Sequence, residues 1–386
     1  MSASGPRAFG PSFLALWWFY FLSFVAGFLL FPVVPLHLRD LGAAIAESGR
    51  FQSAFWLGSG LGCLVSGPLG DRLGQKPLLS GATLAAAGFF LIYAFLPVRW
   101  AFFLLAPIHG LMWSALRTGA LAWVGGALSV ERRAEGLALF GMAAPAGVAV
   151  GPLLGVWLYP RVGFQAICLA FGLLLVGLFF VIRNLPGGER VAARPKRGLG
   201  WPEPWVLVPA LILFLLCLGD GPMAPYSAQE ARGLGLFWPS AYLTCFAAGM
   251  VGMRLLLGLS GRPVAPSRLL PWMLALAFTG NLMLAMLPGG LARHILSGLV
   301  YGSGFGMSQT LMFTHVIGRS NPDRHGAAVG ALYFAFDAGI ALGSLGLGWV
   351  MQVSGFRWGW GLGAILVLPA ILLSLRLRSG GRLVGC

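Results

Sequence analysis

Apolar runs of about 20 residues or more recur along this chain, separated by short polar links. A run of that length, wound as a helix, matches the hydrocarbon thickness of a bilayer. Apolar residues make up 58% of the 386 residues and charged residues 10%, against about 25% charged in soluble domains. A soluble protein has nowhere to bury that much apolar surface. The composition therefore excludes a soluble enzyme, a disulfide scaffold and a disordered chain. The runs are continuous rather than alternating, which argues against a transmembrane β-barrel.

The pattern predicts an all-α membrane protein with twelve spans: 11–36, 46–69, 77–97, 101–127, 136–159, 164–185, 205–226, 236–260, 266–288, 291–317, 326–351 and 357–377. The longest polar stretch, GGERVAARPKRGLGWPEP at 187–204, divides them into two sets of six. The expected organisation is a six-helix bundle over 1–186, a linker over 187–204 and a second bundle over 205–386.

The formal charge of +15 is arranged for a membrane and not for nucleic acid. The termini and the even-to-odd links hold 17 Lys and Arg; the opposite side holds seven: Arg39, Arg50, Arg99, Arg161, Arg232, Arg293 and Arg357. The positive-inside rule then places both termini and the linker in the cytoplasm. Five cysteines show no metal-ligand spacing, so no metal or cofactor is expected. The first apolar run lacks a cleavage site and should remain as the first span.

The halves repeat internally. FPVVPLHLRDLG (31–42) matches GPMAPYSAQEARGLG (221–235), and PAGVAVGPLLG (145–155) matches DAGIALGSLGLG (337–348). Gly147 and Gly151 fall on Gly339 and Gly343. Such a repeat predicts a pseudo-twofold axis along the membrane normal, with a transport site between the halves.

The link after the second span reads GPLGDRLGQKP. Gly67, Leu69, Asp71, Arg72, Gly74 and Lys76 resemble the loop signature G-x-L-x-D-R-x-G-R-K of the major facilitator superfamily; Gln75 departs from it. In that family the segment gates the cytoplasmic side. The second half has Gly261 where the matching Asp is expected, followed by Arg262. Gly147, Gly151, Pro152 and Gly155 are similar to a glycine-proline motif of the family's drug exporters and proton antiporters, where small residues let helices approach closely. The fourth span resembles a further exporter pattern at His109-Gly110 but lacks its arginine.

Charges at bilayer depth are costly and mark function by default. Asp337, Arg117 and Asp220 are the candidates for proton coupling. Asp337 reads either as a protonatable switch or as half of an ion pair with Arg117. Arg254 either snorkels to the surface or pairs with a carboxylate. His109, Trp113 and Arg117 recur every fourth residue, and the repeat maps them onto Tyr301, Phe305 and Gln309. These are the candidate cavity residues.

The resemblance implies a monomeric, multi-pass transporter of the cytoplasmic (inner) membrane of a bacterium. Its partners would be a small-molecule substrate, protons and the lipid bilayer. The expected activity is proton-coupled efflux of an amphipathic or hydrophobic molecule by alternating access. The alternatives are proton-linked import of a sugar or small organic acid, and a non-transporting sensor. No P-loop is present to couple the chain to ATP.

Overall fold

The computed structural model describes residues 10–96, 98–128, 133–188, 202–259, 265–320 and 325–379. Among them are fourteen α-helices and no strand. The signature's Gly261 and Arg262, the linker residues 189–201 and the terminal Cys386 lie outside the described residues.

The first half contains α1 (Pro11–Asp40), α2 (Ile45–Leu73), α3 (Gln75–Ala94), α4 (Arg99–Ala127), α5 (Arg133–Gly141) and α6 (Ala143–Asn184). The second contains α7 (Leu207–Asp220), α8 (Met223–Gly233), α9 (Ala241–Leu259), α10 (Pro266–Met286), α11 (Leu291–Arg319), α12 (His325–Ser354), α13 (Phe356–Ile365) and α14 (Leu368–Ser379).

Seven stretches among the described residues are both long and apolar enough to cross a membrane, and the remaining helices are consistent with a count of twelve. A continuous helix as long as α6 would measure about 63 Å, twice the hydrocarbon thickness. Gly163 breaks it with φ +78, a conformation a side chain would resist. The fifth and sixth spans meet there. Helices α7 and α8 form one span hinged at Gly221-Pro222, and α13 with α14 forms the last. The seventh span runs on to Gly233, beyond the expected 226, because α8 resumes after the hinge.

The two halves use equivalent packing. In the first, α1 packs on the early part of α6 and α2 on α4; in the second, α7 packs on α12 and α9 on α11. The repeated glycines make these approaches. A Cβ on Gly151 would stand 2.7 Å from the Val25 carbonyl oxygen, and one on Gly343 would stand 2.1 Å from that of Leu218. Gly147 and Gly155 meet Phe24 and Leu29 of α1, while Gly339 meets Cys217 of α7. Between the halves α2 lies against α12, α6 against α9 and α1 against α8.

Candidate functional site

Arg117 on α4 reaches across to Asp337 on α12. Its Nη2 donates to Oδ2 at 2.9 Å and its Nη1 to Oδ1 at 3.3 Å. Both residues are buried, Arg117 at 4% exposure and Asp337 at 0%. Ser59 on α2 donates to Oδ2 at 2.8 Å, and the Cys63 sulfur lies 3.1 Å from Nη2. Tyr333, one turn before Asp337, places its ring 4.3 Å from the guanidinium carbon. Residues of both halves thus satisfy the carboxylate and both Nη atoms, while the Arg117 Nε is buried without a protein partner. The ion pair named in the second reading of Asp337 is present, and a proton switch at Asp337 would act through it.

Aromatic rings flank the pair. Trp56 of α2 lies 6.0 Å from Phe336 of α12, which lies 6.3 Å from Phe305 of α11. Trp56, Ser59 and Cys63 follow one face of α2 at i, i+3 and i+7, a spacing in the sequence that could have identified Trp56.

The His109–Trp113–Arg117 stripe does not face one surface. At about 100° per residue, four-residue steps drift about 80° over the eight residues. His109 is therefore turned between α2 and α3, stacked on Phe89 at 4.8 Å and edge-on to Phe55 at 5.0 Å. Trp113 packs on Phe24 at 4.8 Å and covers Gly27 of α1. Only Arg117 reaches the surface between halves. In the second half, Tyr301 lies inside the bundle beside Phe246 and Gly280, Phe305 reaches Phe336, and Gln309 is half-buried.

Asp220 ends α7 at the hinge. Its Oδ1 is buried without a protein hydrogen-bond partner, beside the hydroxyls of Tyr301 and Tyr242. Arg254 donates to the Gly306 carbonyl at 3.2 Å, and no carboxylate lies within ion-pair distance of it among the described residues.

A second buried charge cluster escaped the sequence reading. Arg293 donates to Glu230 at 2.6 Å and to the Leu284 carbonyl at 3.1 Å. The Trp360 indole donates to Glu230 Oε2 at 2.8 Å, and His294 Nε2 is 3.7 Å from the same oxygen. The sequence reading counted Arg293 as a loop charge. Its place three residues inside an apolar run, followed by a histidine, was the available signal.

The end of the molecule holding the α1–α2 and α8–α9 connections is closed. Gln52 donates to the Gly221 carbonyl and Gln229 to Ser48 Oγ, both at 2.9 Å. The Ala46 amide donates to Gln352 Oε1 at 3.0 Å, and Arg232 stands 3.7 Å from Asp40. Tyr226 fills the space between Gly49 and Gly348, donating to the Ser344 carbonyl at 3.1 Å.

The loop signature sits at the other end. Gly74 turns α2 into α3 with φ +95. Lys76 follows, its ammonium donating to the Leu185 carbonyl and its amide to the Gly188 carbonyl, both at 2.7 Å. The motif thereby holds the start of the linker. Leu69 and Arg72 are exposed, a Cβ on Gly67 would meet open space, and the Asp71 side chain lies outside the described residues. Pro152 is buried beside Gly151.

Two helical halves with equivalent packing therefore meet at a buried charge pair and are closed at one end. The sequence profile of the Major Facilitator Superfamily matches residues 16–344. Over 379 residues the chain is 28% identical to a chloramphenicol resistance protein of Streptomyces lividans, covering 91% of this chain and 92% of that one. A 182-residue stretch is 27% identical to a gallate transporter of Pseudomonas putida, covering 43% of this chain and 40% of that protein. A crystal structure of a peptide transporter POT in complex with sulfate superimposes with TM-score 0.80 at 12% identity, covering 97% of this chain and 96% of the other. The human organic anion transporter MFSD10 gives TM-score 0.71 at 19% identity, covering 95% and 100%. The chain belongs to the major facilitator superfamily. It is a multi-pass membrane transporter of small molecules and not an enzyme.

Proposed function

We propose that the chain exports a small amphipathic or hydrophobic molecule in exchange for protons, working as a monomer by alternating access. The observation that carries this reading is the Arg117–Asp337 pair between the halves. Protonating Asp337 removes the negative charge that holds Arg117 and weakens the link between α4 and α12. Losing the proton restores it. The aromatic surface of Trp56, Phe336 and Phe305 suits an amphipathic substrate. The full-length similarity to a chloramphenicol resistance protein points the same way.

The Lys and Arg asymmetry supports an orientation with both termini and the linker in the cytoplasm, the closed α1–α2 end facing outward. The halves then correspond to 1–186 and 205–386, rocking about the linker at 187–204.

Purified protein in vesicles, given a pH gradient, tests the reading with chloramphenicol and tetracycline as probes. Gradient-dependent transport of either, with counter-movement of protons, is the expected result. Transport indifferent to the gradient would remove the coupling. The 182-residue match to a gallate transporter favours a second reading, proton-linked uptake of a small organic acid. Gradient-driven gallate accumulation would support that one.

A further inference from the structure

Helix α11 carries a row of buried polar atoms with no protein hydrogen-bond partner. They are His294 Nε2, Ser297 Oγ, Ser308 Oγ and Tyr301 OH, the last within reach of the Asp220 carboxylate. All four residues are 0% exposed. At about 100° per residue they fall within about 60° of one another, and they extend about 21 Å along the helix. Serine and threonine in a membrane helix ordinarily donate to the carbonyl four residues back. On this same helix Ser303 does so to Leu299 at 2.8 Å and Thr310 to Gly306 at 3.0 Å. Ser297 and Ser308 do not, so their hydroxyls are left for something else.

Other orphaned groups face the row. Tyr242 OH on α9 and Asp220 Oδ1 on α7 are unpartnered, and Asp220 lies beside both tyrosines. Cys217, one turn before Asp220, lies near both Asp220 and Asp337. At the other extreme the row meets the Glu230–Arg293–His294 cluster. Glu230 also lines a surface cleft of about 440 Å³ with Gly233, Ser354 and Arg357. The row therefore runs from the charge cluster beside that cleft to Asp220, and Cys217 stands between Asp220 and Asp337. Unpaired buried polar atoms are costly, and water satisfies such groups where there is polar company and room.

We propose that a hydrated proton path runs inside the C-terminal bundle, from the Glu230–His294 cluster along α11 to Asp220 and on to Asp337. This rests on the proton-coupled reading above and gives it a route. A proton entering from the cleft passes between waters held by Ser297, Tyr301 and Tyr242. The Asp220 carboxylate takes it up and becomes a neutral carboxyl. Transfer to Asp337 returns Asp220 to its ionised form and neutralises the partner of Arg117, which stays charged. Each step moves one proton and leaves every heavy-atom bond intact. Arg293 pairs with Glu230 at the entrance to this path. Cys217 is the remaining titratable side chain near Asp220.

Two measurements test the path. The first is thiol labelling of full-length protein in vesicles with aminoethyl methanethiosulfonate, read at each site by mass spectrometry. Ser297→Cys and Ser308→Cys are expected to react, whereas Ala106→Cys, equally buried but on α4 of the other half, stays inert. Inert cysteines at 297 and 308 would overturn the hydrated row. The second is proton entry reported by an internal pH dye while chloramphenicol moves outward. Tyr301→Phe and Ser297→Ala keep the shape and remove the hydroxyls. Both are expected to slow proton entry by about tenfold, and Ser297→Ala is expected to leave chloramphenicol binding unchanged. Wild-type rates in both variants would overturn the path and leave the coupled reading standing. A wild-type protein that moves chloramphenicol without protons would overturn the coupled reading and the path together.

Discussion

Arg117 and Asp337 stand 220 positions apart in sequence and 2.9 Å apart in space, one on each half of the molecule. Neither charge could remain alone at that depth. Each half therefore completes the other's electrostatics, and a change in protonation of Asp337 acts directly on the seam between them.

Asp337→Asn tests this relationship. Asn keeps the size and removes the titration, so proton-driven accumulation is expected to vanish while some downhill exchange survives. It also leaves the guanidinium unpaired. Breaking a buried pair from one side costs about 3–5 kcal/mol, so the amount of folded protein should fall. Asp337→Asn with Arg117→Gln replaces the pair by two neutral amides and should restore that amount without restoring coupling. Flux against pH, with protein amount controlled, separates the effects. Full coupling in the single variant would end the switch.

The spans and the repeat were legible because bilayer thickness and glycine contacts write themselves into periodicity. Arg117 and Asp337 were legible because charge is scarce in apolar runs. The contents of the cavity were less so. A spacing of four looks like a stripe over one turn and becomes a spiral over two, which is why His109 faces Phe89 and not the other half. Glu230 and Arg293 were hidden because each sits at a span end, where a charge reads as topology. Their pairing depends on the bend at Gly221-Pro222, after which α8 brings Glu230 to Arg293 and Trp360.

The closed end depends on Tyr226. A Cβ on Gly49 would stand 1.8 Å from its hydroxyl oxygen, and one on Gly348 would stand 2.0 Å from it. Gly49→Val should therefore wedge α2 away from α8 and α12. Ser48 and Gln229, 2.9 Å apart between Oγ and Nε2, provide the gauge. Replacing both by cysteine and joining them with a short bis-methanethiosulfonate reagent should give a crosslink in high yield, and adding Gly49→Val should lower that yield. An unchanged yield would mean that the tyrosine moves aside.

At the opposite end the turn between α2 and α3 requires Gly74, whose φ is +95. A β-branched residue resists that conformation, so Gly74→Val should cost at least about 1–2 kcal/mol. Lys76→Met removes one ammonium–carbonyl bond to Leu185, worth about 1.5–3 kcal/mol, and leaves the backbone turn intact, so the two losses should be of similar size. Thermal unfolding in detergent ranks the two. A larger loss for Lys76→Met would show that the linker contact, and not the turn, organises this motif.

Orientation is the last test, and the structure sharpens it. The side opposite the linker holds seven arginines in sequence, but Arg293 is not a loop charge: it is buried at 3% exposure against Glu230. The positive-inside bias acts on charges in short loops near span ends, so the effective count there falls to six against 17. Reporter fusions after residue 386 and within 187–204 should both give cytoplasmic signals. Arg293→Ala should leave those signals unchanged while lowering the folded amount, because Glu230 loses its charged partner. A periplasmic signal from either fusion would invert the assignment. The cleft beside Glu230 would then open toward the cytoplasm, and the path along α11 would begin there.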